Sequence, residues 1–219
     1  NTDENQGEAI GAALVYSGNF LIQAEVDTWD VTRLQFGINP FGFNWKLNPG
    51  ETFTAPEAIL VYSTKGLNAM SQTFHQLFRK RLARGKWREK DRPVLINNWE
   101  ATYFDFDEEK LVNIAKKAFD VGIELFVLDD GWFGERENDC AGLGDWHVNP
   151  KRLPRGIGSL SEKIRSFGMK FGLWFEPEMV NKDSDLYRTH PDWLISTPNQ
   201  KPKHVMNLYV LNLGLDKVI

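Results

Sequence analysis

Three short apolar runs, Pro93–Asn97 (PVLIN), Ile123–Leu128 (IELFVL) and Met169–Phe175 (MKFGLWF), are separated by stretches with helical periodicity. This alternation constrains the fold more than any other feature. Asp107 is a natural N-cap for a helix over Glu108–Val121, which has acids in its first turn and apolar residues at Leu111, Val112, Ile114, Ala115, Ala118 and Phe119. A second helix is expected over Ser161–Phe167, closed by Gly168, with a long polar, Gly-rich loop before it from Phe133 to about Ser159. Strands alternating with helices imply parallel pairing and right-handed crossovers. In such sheets functional groups gather beyond the C-terminal strand ends. Those ends read Asn97-Asn98-Trp99-Glu100, Asp129-Asp130-Gly131-Trp132 and Trp174-Phe175-Glu176-Pro177-Glu178, so each carries a carboxylate and an aromatic ring.

The preceding residues read differently. Ala9–Tyr16 and Asn19–Val26 are strand-like, with Tyr16-Ser17-Gly18-Asn19 as the turn between them; Val31–Ile38 and Glu57–Tyr62 are further strands. Between Gly66 and Arg84 the apolar period becomes helical, and Gly85 suits the helix end. The run Arg79 to Arg92 then holds eight of the chain's 26 positive charges. A net charge of −4 argues against a nucleic-acid partner, so the run reads as a helix C-terminus leading into a solvated linker. No apolar stretch reaches the ~18 residues a membrane span needs. The single cysteine, Cys140, excludes a disulfide framework within the chain. The chain begins at Asn1 with a polar stretch and stops near Ile219 where a helix is expected to start, so it reads as a piece of something larger.

Adjacent Asp129 and Asp130 are the sharpest chemical feature. The glycine after them lets the chain turn, so both carboxylates can face one cleft and accept hydrogen bonds from paired sugar hydroxyls. A divalent-metal site, with Asp145 and His147 as further ligands, or a turn or helix cap are the alternatives. Glu176 and Glu178 are candidates for catalysis or for orienting other groups. Trp99 and Trp174 offer rings to a ligand or to the core. Eight tryptophans in the chain could supply flat rings for stacking, as sugar-binding clefts do, but aromatic cores and interfaces use them too. Cys140 has no evident histidine base beside it.

The stretch from Pro93 to Glu178 resembles the start of the catalytic barrel in bacterial-type α-galactosidases of glycoside hydrolase family 36. The segments that carry the resemblance are RPVLINNWEATYFDF (Arg92–Phe106), FVLDDGWFGERENDCAGLGDWHVNPKRLPRGIGSL (Phe126–Leu160), GLWFEPEMVN (Gly172–Asn181) and HPDWLI (His190–Ile195). Residues 1 to about 85 resemble the end of that family's N-terminal β-supersandwich and its connecting helix. The resemblance implies a β plus α/β chain: residues 1–65 the end of the supersandwich, 66–92 a connecting helix and basic linker, and 93–219 the first three β/α units of a (β/α)8 TIM barrel.

It further implies retaining, exo-acting hydrolysis of terminal α-galactosyl residues without metal or cofactor, in a cytoplasmic homo-oligomer whose partner is a galactose-containing oligosaccharide. Asp129 and Asp130 then bind galactose hydroxyls, and Trp99 and Trp174 form pocket walls. Retaining chemistry needs two carboxyl groups about 5–5.5 Å apart. The family supplies both from later strands, the nucleophile from a Lys-Trp-Asp motif absent from these 219 residues. No residue of this chain is therefore expected to be catalytic, the pair lying beyond Ile219. One departure stands out: Met206 occupies the position of a sugar-contacting arginine, and Asn212 that of an aspartate. A non-catalytic carbohydrate-binding homologue and a galactosyl-transferring relative are the alternative readings. Three barrel strands alone would leave an exposed parallel edge.

Overall fold

Local signals set the strands of the N-terminal residues, but long-range packing sets their partners. The computed structural model describes residues 1–197, 200–202 and 204–218. The chain divides into two units, Asn1–Asp91 and Arg92–Ile219. The first holds β1 (Ala9–Val15), β2 (Phe20–Val26), β3 (Thr32–Ile38) and β4 (Glu57–Ser63). The expected β1–β2 hairpin does not form. β1 pairs antiparallel with β4, from Ala9 opposite Ser63 to Val15 opposite Glu57, and β2 pairs with β3. The loop that does close a hairpin is held by Asp27, whose carboxylate accepts from the backbone N–H groups of Trp29 and Val31. β1 stays with β4 because the helix that follows β4 closes on it. A Cβ at Gly11 would lie 2.6 Å from a Phe74 ring carbon and 2.7 Å from the Met70 sulfur.

That helix, α1 (Gly66–Leu77), continues as one π-helical turn over Phe78–Leu82 and ends at extended Ala83. The break thus precedes Gly85, which has φ +66° and opens a short 3-10 turn instead. The side chains of the basic run are exposed, as a solvated linker requires.

The second unit follows the expected β/α grammar. Its elements are β5 (Leu95–Asn97), α2 (Trp99–Thr102), α3 (Glu108–Asp120), β6 (Leu125–Leu128), α4 (Gly156–Arg165), β7 (Lys170–Leu173), β8 (Met179–Asn181), α5 (Asp185–Thr189), β9 (His204–Val205) and β10 (Leu208–Val210). β5, β6 and β7 form a parallel sheet in that order. It is open, and Val94 and Leu95 at its β5 edge are more than half exposed. Nothing in the sequence reading anticipated the second sheet, the antiparallel set β8-β10-β9. Among the described residues no helix is long and apolar enough to cross a membrane.

The core lies between the parallel sheet, α3 and α4, with Leu111, Phe126, Leu128, Leu160 and Ile164 fully buried. The long loop expected to be polar also enters it: Phe133, Leu143 and Leu153 are no more than 1% exposed, and Trp132 just before it is 2% exposed. Helix α4 starts five residues before the expected Ser161, because Gly156 turns the chain at φ +77° and Leu160 and Ile164 then meet the core. Asp107 caps α3 as expected, accepting from the Lys110 N–H at 2.8 Å. Asp107→Ala should therefore cost about 1 kcal/mol of folding free energy, lowering the melting temperature by roughly 2–4 °C. Thermal unfolding of the two proteins checks this, and identical midpoints would mean that water caps the helix as well as the carboxylate does.

Candidate functional site

The strand register brings the three strand ends into one row. Asn97 lies opposite Val127, Val127 opposite Gly172, and Leu128 opposite Leu173, so Trp99, Asp129 and Trp174 come at the same level just beyond the three strands. Asn98 is fully buried and acts as a brace. Its Oδ1 accepts from the Asp129 N–H at 2.9 Å, while its Nδ2 donates to Thr102 Oγ1. The Asp129 side chain is only partly buried and is held from two sides. Oδ2 accepts from Asn97 Nδ2 at 2.6 Å and Oδ1 from the Asp130 N–H at 2.8 Å. Each oxygen keeps lone-pair capacity for a further donor. Gly131, at φ +95°, makes the turn: a Cβ there would lie 3.0 Å from Phe104 and 3.3 Å from Phe106.

Asp130 faces elsewhere. It is 7% exposed and forms a bidentate ion pair with Arg136, Nε to Oδ1 at 2.5 Å and Nη2 to Oδ2 at 2.7 Å. The two carboxylates thus diverge rather than sharing one open cleft, as successive side chains on extended backbone do. Arg136 itself is 3% exposed, and its Nη1 donates to Ala141 O and Asn181 Oδ1. Arg136, Asn181 and Asn98 escaped the sequence reading. The available signal for Arg136 was electrostatic: two adjacent carboxylates at a strand end call for a nearby cation.

Trp99 opens α2 and meets Tyr103 and Phe104 edge-on, at centroid distances of 5.2 and 5.1 Å. Trp174 packs beside Phe133 and Trp146, and its carbonyl accepts from Trp132 Nε1. Both rings are part buried and part open, so each is anchored without being consumed by the core.

Glu176 stands near the ion pair and is partly buried, whereas Glu178 is exposed. Burial pushes the Glu176 carboxyl above its ordinary range; the charge of Glu178 adds to this, Arg136 opposes it and Asp130 adds again. For an acid raised in the folded state, the unfolded chain releases its proton first, so stability falls as pH rises from the unfolded value through the folded one. Glu176→Gln should then be the more stable protein at ~pH 7, and the difference should vanish below about pH 4, where both carboxyls are neutral. Urea unfolding at the two pH values tests the sign; a gap that persists in acid would point to hydrogen bonding instead.

The other candidates resolve into structural parts. Asp145 caps α5, its two oxygens accepting from the Asp185 and Leu186 N–H groups at 2.9 and 3.0 Å. His147 is exposed, and no set of three or more His, Cys, Asp or Glu side chains among the described residues is arranged to hold a metal. The exposed Cys140 thiol faces the Asp139 carboxylate, which raises its pKa and disfavours the thiolate. Met206 sits on the turn between β9 and β10, 78% exposed at φ +50°. Asn212 accepts from the Gly214 N–H and donates its own N–H to Trp193 O.

Known proteins match this chain over nearly its whole length. The glycosyl hydrolase family 36 N-terminal domain model matches residues 1–48, and the melibiase model matches residues 52–219. Alpha-galactosidase AgaA of Geobacillus stearothermophilus is 56% identical over 218 residues, and Mel36A of Lactobacillus acidophilus is 51% identical. Each alignment covers all of this chain, which spans about 30% of the length of either relative. The crystal structure of AgaA superposes with a TM-score of 0.95, covering 100% of this chain and 30% of that one. A variant of AgaA has been solved in complex with raffinose.

Proposed function

This chain belongs to glycoside hydrolase family 36, and from that premise we propose that it forms part of an enzyme removing terminal α-D-galactosyl residues from oligosaccharides of the melibiose and raffinose type. The observation that carries the reading is Asp129 at the end of β6, a carboxylate fixed by Asn97 and by the Asn98-tethered backbone, with acceptor capacity left over. An ionised carboxylate accepting from sugar hydroxyls makes charge-assisted bonds, stronger than neutral ones. Asp130 contributes through the small part of its carboxylate that Arg136 leaves open. The anchored rings of Trp99 and Trp174 offer apolar faces to the sugar's C–H surface. The raffinose complex of the AgaA variant supports the substrate class.

The two carboxyl groups that perform retaining hydrolysis are proposed to lie outside these 219 residues, which contain no Lys-Trp-Asp segment. The test uses the full-length protein that contains this chain. It should release galactose from raffinose, with the α-anomer as first product by NMR. The 219-residue chain alone should not hydrolyse an aryl α-galactoside. Galactose binding without release by the full-length protein would favour a carbohydrate-binding homologue, and turnover by the isolated chain would move suspicion to Glu176 or Glu178.

A further inference from the structure

Asn181 ends β8 with none of its surface exposed, and its carboxamide makes four hydrogen bonds. Oδ1 accepts from Arg136 Nη1 at 2.9 Å and from the Leu143 N–H at 3.0 Å. Nδ2 donates to the carbonyls of Asp139 and Asn207, both at 3.2 Å. Every donor and acceptor of the group is engaged, so it fixes the geometry of whatever it touches. On one side is the arginine that holds Asp130. On the other is the two-residue turn Met206-Asn207 between β9 and β10. Both turn residues have positive φ, +50° and +67°, as a tight hairpin of this kind demands. Asparagine tolerates that conformation and methionine does so at a cost, yet Met206 is held there with its side chain in the open.

We propose that Asn181 is a positioning residue: it ties the β9–β10 turn to the Asp130–Arg136 ion pair and thereby sets where the Asp130 carboxylate stands for the sugar. The coupling stands on the hydrogen bonds alone, whereas its use for a sugar rests on the galactosidase reading above.

Asn181→Asp in the full-length protein separates the parts. It keeps the acceptor for Arg136 but replaces both donors with an oxygen facing two carbonyls. KM for raffinose should rise tenfold or more while kcat stays within about threefold, because binding energy removed equally from the ground and transition states appears in KM. Amide exchange across residues 206–210 should quicken. A lowered melting temperature with unchanged KM would make Asn181 a structural brace and overturn the proposal. If Asn181→Asp fails to fold, Asn207→Ala decides, since that change at an exposed residue with φ +67° loosens the turn from its other end without entering the core; KM should again rise, and an unchanged KM overturns the proposal.

An unmodified full-length protein inactive on raffinose would count against the galactosidase reading instead. The coupling is then judged by exchange alone. Asp130→Asn should quicken exchange at residues 206–210, and no change there would sink it.

Discussion

Arg136→Met should lower the stability of the Arg92–Ile219 unit by about 3–5 kcal/mol, the usual cost of removing one partner from a buried ion pair. The substitution keeps an apolar stem of similar length, so little packing is lost. What remains is an Asp130 carboxylate, its side chain 9% exposed, with both charge-assisted donors gone. Ala141 O and Asn181 Oδ1 lose a donor as well. The double variant Asp130→Asn with Arg136→Met removes the orphaned charge and should recover part of the loss, a non-additivity expected only of groups in contact. Urea unfolding of the two single variants and the double measures all three differences. A loss below ~1 kcal/mol for Arg136→Met would mean that water reaches Asp130 and that the pair contributes no more than a surface salt bridge.

The same pair shows where the sequence stops being readable. Asp107 was legible as a cap because its partner, the Lys110 N–H, lies three residues on and the chemistry is local. The parallel order β5-β6-β7 was legible because βα crossovers leave few topologies. Arg136 was not, because it lies in a loop rich in Gly, Asp, Glu and Asn whose composition signals solvent. Its burial depends on Asp130 before it and on Asn181, which arrives only through a strand of another sheet. The strand pairing of the first unit failed for a related reason. Ser17-Gly18 is a sound turn signal, but the partner of β1 is delivered by β4 and fixed by Met70 and Phe74 closing on Gly11. Local chemistry names the elements, and contacts distant in sequence choose among their pairings.

The site was legible in type more than in orientation. Carboxylates and tryptophans at three strand ends were legible, and the sheet brings those ends together, yet nothing local revealed that Asp129 would face outward and Asp130 inward. Asn97 and Asn98 make that difference. One bonds the Asp129 side chain and the other its backbone, and both depend on the alignment of β5 with β6.

Asp129→Asn in the full-length protein should then lower kcat/KM on an α-galactoside by roughly ten- to a hundred-and-fifty-fold, the equivalent of ~1.5–3 kcal/mol for a hydrogen bond to a charged group. The shape is kept, but one acceptor oxygen becomes a donor. Both existing partners of Asp129 are themselves donors, Asn97 Nδ2 and the Asp130 N–H, so the new amide nitrogen must oppose one of them. A flip of Asn97 would relieve the clash at the cost of its Oδ1 bond to the Trp99 N–H, loosening Trp99 at the start of α2. Either arrangement leaves fewer acceptors for the sugar. Steady-state kinetics with raffinose, read beside a melting curve, separates binding from folding. A lowered melting temperature with unchanged kcat/KM would make Asp129 part of the turn alone, and Asp130 would then be the one carboxylate of the pair left to meet the substrate.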